Sequence, residues 1–82
     1  MDQTSLRALK KACLIVGSPA ELARRVGSHL GRRIAHQHVW NWLNRDKKVP
    51  DWAVLAIEAA TERQVTRHLL RRDLYPMERE SA

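Results

Sequence analysis

Phenylalanine is absent from this chain of 82 residues, and cysteine and tyrosine occur once each. The lone Cys13 excludes an intrachain disulfide and any cysteine-rich zinc framework. Glycine and proline, three of each, are too few for a collagen-like or low-complexity chain. No apolar run approaches the ~20 residues of a membrane span, so none is expected. Met-Asp-Gln-Thr at the N-terminus lacks the basic region and apolar stretch of a signal peptide, which makes the cytoplasm the expected compartment. Acidic residues are the last scarcity: 9 Asp and Glu face 15 Lys and Arg, for a net charge of +6. That imbalance favours a polyanionic partner, with nucleic acid ahead of membrane and of a merely solvated basic surface.

Hydrophobic residues make up 44% of the chain, enough for one compact domain and too short a length for two. Leu6, Leu9, Cys13 and Val16 recur at helical spacing behind a cap at Thr4 or Ser5, and Gly17 ends this first helix. Cys13 on that stripe reads as a small core residue. Ser18-Pro19-Ala20-Glu21 is a helix start with Ser at N-cap, Pro at N1 and Glu at N3 to close a capping box. The second helix buries Leu22, Ala23 and Val26. It stops at Gly27 or runs through Leu30 to Gly31; the longer version, 19–30, is preferred because Leu30 continues the stripe. Pro50 and Asp51 open a fourth helix, and 53–60 is apolar almost all round save Glu58, as in a central helix. Thr66 is placed to cap a short fifth helix carrying Leu69 and Leu70, and residues 77–82 read as a flexible tail.

The third helix, about 35–44, carries the densest information. On a helical wheel Ala35, Val39, Trp42 and Leu43 turn inward, while Gln37, Trp40, Asn41 and Asn44 turn outward. Gln37 and Asn41 suit adenine edges, while Asn44 and the cations before and after it, Arg32, Arg33, Arg45, Lys47 and Lys48, suit phosphates. Ser18, at the start of helix two, offers backbone N–H groups for one more phosphate. Trp42 reads as core. Trp40 either packs on sugars and thymine methyls or shields the helix edge, and Trp52 is either core or part of a contact patch. A small residue on helix two (Ala23), a glycine after it (Gly27 or Gly31) and a branched residue within helix three (Val39) together make a helix-turn-helix signature.

Val39-Trp40-Asn41-Trp42-Leu43, Val49-Pro50, the 54–61 run, Val65-Thr66-Arg67-His68 and Arg72-Asp73-Leu74-Tyr75-Pro76 resemble the Cro/YdaS-like phage repressors and antitoxins, from about Leu6 to Pro76. The resemblance implies an all-α, five-helix, lambda-repressor-like helix-turn-helix domain over 1–76. It also implies binding to a double-stranded DNA operator, often as a homodimer, in a phage or prophage switch on the bacterial nucleoid. By position, its base-reading residues fall on His36, Gln37, Trp40 and Asn41, with Arg45 near the backbone.

The chain also departs from that pattern. Gly27 and Val39 lie twelve positions apart rather than six, so helix two is longer or the turn wider. Glu62 and Arg63 stand where the family often has glycine, which points to a longer helix four. Leu69 replaces a capping glutamate and suggests an apolar contact. A partner surface is accordingly expected at Trp52, Leu69, Leu70, Leu74 and Tyr75, for a second subunit or, on the antitoxin reading, for a toxin protein. His36 and His38 point about 200° apart on a helix and cannot chelate one ion. No nucleophile elbow, phosphate loop or catalytic carboxylate pair occurs, so no enzyme, metal, cofactor or small-molecule ligand is expected.

Overall fold

The computed structural model describes residues 4–76, so the expected tail at 77–82 lies outside the described residues. Five α-helices and no strand occur among them. Helix α1 (Thr4–Val16) buries Leu9, Cys13 and Val16 together with Ala8 and Ala12. Gly17, at φ 117°, ends it in a conformation that side-chain-bearing residues avoid. In α2 (Pro19–Leu30) the Ser18 hydroxyl accepts the Glu21 N–H at 3.1 Å. Glu21 does not return the bond as a capping box requires. Its carboxylate is taken by Arg24 and Arg25 on the next turn, a charge-assisted alternative to a neutral amide.

Helix α2 runs past Gly27 and closes at Gly31, whose φ of 69° is left-handed. The Arg32 N–H then reaches back to the Gly27 carbonyl at 3.0 Å. This return brings the chain so close that a Cβ on Gly27 would stand 2.5 Å from the Arg32 carbonyl oxygen. Gly27 is therefore a packing glycine inside the helix, and Gly31 is the stop.

Helix α3 is shorter than the 35–44 segment expected. It spans His36–Asn41 and continues as a π-helical turn, Trp42–Asp46, closed by Lys47 at φ 57°. Ala35 is exposed rather than inward, because it is the extended N-cap residue; Ile34 takes the buried place. The cap is less bare than its alanine suggests, since the Ala35 N–H donates to His38 Nδ1 at 3.2 Å. Val39 and Trp42 face the core as the wheel predicts.

A 3-10 turn (Asp51–Ala53) leads into α4 (Val54–Ala60), which packs on α2 and buries Val54, Ala56, Ile57, Glu58 and Ala60. Leu55 and Ala59 face outward, so α4 is central on one side only. It does not run longer. The Arg63 N–H bonds the Glu58 carbonyl and the Glu62 N–H bonds the Ala59 carbonyl, a Schellman closure with Glu62 and Arg63 at φ 55° and 66°. These residues adopt the glycine conformation without being glycine. The Thr66 side chain does not cap α5 (Arg67–Leu70). The Glu58 carboxylate does so from α4, accepting the Arg67 N–H at 3.2 Å. Helix α5 lies against α1 and buries Leu70 completely.

Candidate nucleic-acid interface

The segment 36–46 presents a polar outer face built by the periodicity of α3. His36 and Gln37 are exposed, Trp40 retains 51% of its surface and Asn41 is half-buried. One turn apart, the two amides are bonded: Gln37 Nε2 donates to Asn41 Oδ1 at 3.2 Å. Trp40 stands on the solvent side with about half of its surface covered. Asn44, expected at a phosphate, is committed elsewhere. Its Nδ2 donates to the Trp40 carbonyl at 3.0 Å.

The expected phosphate contacts separate into two groups, one at each end of the segment. Arg32, Arg33 and His36 border a depression of about 490 Å³ with Arg24, Ser28 and Gly27 of α2. Lys47 and Lys48 border another, of about 370 Å³, beside Arg71 and Arg72. Arg33, Lys47 and Lys48 are exposed and have no ion-pair partner among the described residues, whereas Arg45 is paired with Asp46 at 3.2 Å. Arg32 lies over the Trp52 ring, 4.8 Å from its centroid. Ser18 sits apart from both groups, its hydroxyl used as the α2 cap. Arg24 and Ser28 were missed in the sequence; their signal was the outward face of α2, one turn apart at the level of Gly27.

The expected partner surface is only partly a surface. Leu70 is 0% exposed, because the short α5 must close the core over α1, and it is corrected to a core residue. Leu69 and Tyr75 are half-buried against the core, while Leu74 is exposed. Trp52 is 41% exposed, yet it meets Trp42 edge-on at 5.7 Å and carries Arg32 on its ring. It links the 3-10 turn to the π turn through Trp42 and to the turn before α3 through Arg32.

Two arginines, Arg67 within the quoted Val65-Thr66-Arg67-His68 motif and Arg71 outside any motif, tie the C-terminal part of the scaffold together. Arg67 bonds Glu58 Oε1 through Nε and Nη2 at 3.0 and 2.8 Å. Burial, the largest influence on Glu58, raises its pKa, but the Arg67 side-chain and backbone hydrogen bonds and charge together hold it below the usual carboxylate range. Arg71 donates to the Val49 carbonyl at 2.8 Å and clamps Asp73, whose pKa that hydrogen bond lowers to about 2. Burial pushes the Cys13 thiol up to about 11, as suits a core thiol.

Among the described residues no three His, Cys, Asp or Glu side chains group as metal ligands, and no helix is long and apolar enough to cross a membrane. Neither curated proteins nor solved structures give a significant match to the chain. A family model does, over residues 9–79, which take in every helix from the middle of α1 onward and the whole candidate interface. With most of its length matched, the chain belongs to the bacterial toxin YdaS family.

Proposed function

We propose that this chain is a sequence-specific DNA-binding regulator that lays the 36–46 segment in the major groove of an operator. The observation that carries the reading is the outward Gln37–Asn41 amide pair, set between two groups of cations. At the helical rise the segment is ~16 Å long, against about 12 Å for the groove width. Cations at its two ends would therefore meet the two phosphate walls while the amides face base edges. With Nε2 donating to Asn41, Gln37 keeps one N–H and its oxygen, the complement of adenine N7 and N6. Asn41, its oxygen engaged, is left mainly as a donor for guanine or thymine acceptors. Trp40 adds an apolar contact for a thymine methyl or a sugar.

Repression in a phage or prophage circuit, by a homodimer on a two-fold-related operator, is the biological form of this proposal. Its support is the Cro/YdaS-like resemblance and the exposed apolar edges of Trp52 and Leu74. Catalysis has no place in it. The family's description as a toxin supports a second reading, in which the chain acts in a toxin system through a protein partner and DNA binding is secondary.

The test is selection of duplexes from a random pool at about 150 mM salt, followed by titration of the winners. Arg32, Arg33, Lys47 and Lys48 would together give a salt slope of roughly −3.6 per protomer in log K against log salt. Selection should yield a defined motif, and Gln37→Ala with Asn41→Ala should erase the preference while leaving the salt slope. No enriched motif, with toxicity or toxin neutralisation intact in the double variant, would transfer the function to the second reading.

A further inference from the structure

We propose that the outward face of α1 is a docking groove for an acidic amphipathic helix of a partner protein. Leu14 is 81% exposed, the most exposed large apolar side chain among the described residues. It borders a groove of about 390 Å³ whose other walls are Lys10, Cys13, Gly17, Ser18, Pro19 and Leu43, mostly apolar atoms. Arg7, Lys10, Lys11 and Leu14 fall at i, i+3, i+4 and i+7, within an arc of about 100° on one side of the helix. All three cations are exposed, and none has a hydrogen-bond or ion-pair partner among the described residues. Helix α1 contains no acidic residue to neutralise them.

An apolar slot beside a row of unpaired cations is the complement of a helix with apolar anchors on one stripe and carboxylates along its edge. The nearest acid on the neighbouring helix, Glu21, is already held by Arg24 and Arg25. Charge also decides against a second copy as the occupant. A two-fold contact would set three α1 cations of one protomer against three of the other. Leu14 with the groove walls also falls far short of the ~800 Å² per partner of a stable interface. Leu43 and Ser18 are the groove's links to the candidate nucleic-acid interface, but none of the outward amides of α3 lines it, so the proposal does not depend on that reading.

The experiment is a display selection of helical peptides of about 15 residues with randomised faces, against the full chain, with a Leu14→Asp chain as the counter-target. Leu14 is exposed, so the variant keeps its fold, which its circular dichroism and melting curve verify. The expected winners carry Asp or Glu beside two or more apolar anchors and bind Leu14→Asp at least about tenfold more weakly. A Lys10→Glu/Lys11→Glu chain should weaken them as well and enrich peptides with basic flanks instead. Winners without acidic residues, or no peptide sensitive to Leu14, would overturn the proposal. So would a dimer in sedimentation that Leu14→Asp dissolves, which would make the occupant a second copy.

Discussion

The half of the molecule from Pro19 to Asp46 and the half from Asp51 to Pro76 use their polar side chains in opposite ways. In the first, the bonds are local and wet. Glu21 reaches Arg24 and Arg25, Gln37 reaches Asn41, Arg45 reaches Asp46, each within a helical turn. In the second, beside the local Thr61 bonds and the exposed Arg71–Asp73 pair, two bonds are long-range and sheltered. Glu58 reaches Arg67 nine residues away, and Arg71 reaches Val49 twenty-two residues away. Exposed local pairs are worth a few tenths of a kcal/mol, and a buried charge left without its partner costs about 3 kcal/mol or more. One half is thus free to vary its surface for recognition, while the other holds the shape that presents it.

The sharpest break in this contrast is Arg67→Ala. It takes both guanidinium donors from a carboxylate that is 6% exposed and leaves it only the backbone N–H of position 67, so a loss of about 3 kcal/mol is expected in urea unfolding. The same pair predicts an acid transition. Because Glu58 is held below its usual pKa near 4.5, its contribution is complete above that value and disappears as pH falls through the folded-state value. Melting temperature should therefore hold from pH 7 to about 5 and decline below 4.5, where the wild type and Glu58→Gln should converge.

Gly27→Ala breaks the contrast from the other side, because it lies in the variable half and should nonetheless be costly. Its Cβ would meet backbone, the Arg32 carbonyl, which cannot swing away as a side chain can. A loss of about 1–3 kcal/mol is expected, with amide shifts in Arg32 to His36 by NMR as the turn before α3 is displaced. Glu62→Gly goes in the opposite direction. It relieves a left-handed residue at a Schellman position, less the greater entropy of glycine in the unfolded chain, for a net gain of about 0.5–1 kcal/mol in thermal unfolding. The smallest effect belongs to Gln37→Ala with Asn41→Ala. Stability should stay within about 0.5 kcal/mol of wild type, which leaves the variant suitable for binding measurements.

Local signals made much of the fold readable. The stripe Leu9, Cys13, Val16 placed α1, Ser18-Pro19 started α2, and Pro50 preceded the turn into α4. Each acts through its own backbone or an adjacent turn, so its message does not depend on distant residues. The site was legible where it follows from periodicity alone, as with outward Gln37 and Trp40 and inward Val39 and Trp42. It was not legible where a side chain was spent on a neighbour. Asn44 went to the Trp40 carbonyl one turn back, and Arg32 went to the Trp52 ring of the 3-10 turn. Leu70 looked available because a four-residue helix has no periodicity to read, and only α1 showed which way it faces.

The two left-handed stops divide what each level decided. At Gly31 the residue type itself permits the conformation, so the sequence determined that α2 ends there. At Glu62 the residue type opposes it, and α4 ends there because Glu58 and Thr61 are anchored. Arg67 holds the Glu58 carboxylate, and the Thr61 hydroxyl accepts the Val65 N–H at 3.2 Å while lying within hydrogen-bonding reach of the Ile57 and Glu58 carbonyls. Sequence alone therefore set the helical content, the inner face of each long helix and the basic, amide-bearing segment before Pro50. Tertiary structure decided where α4 stops, what caps α5 and which apolar residues remain outside. Those outcomes depend on which groups a closing core brings within hydrogen-bonding distance, and no local propensity encodes that.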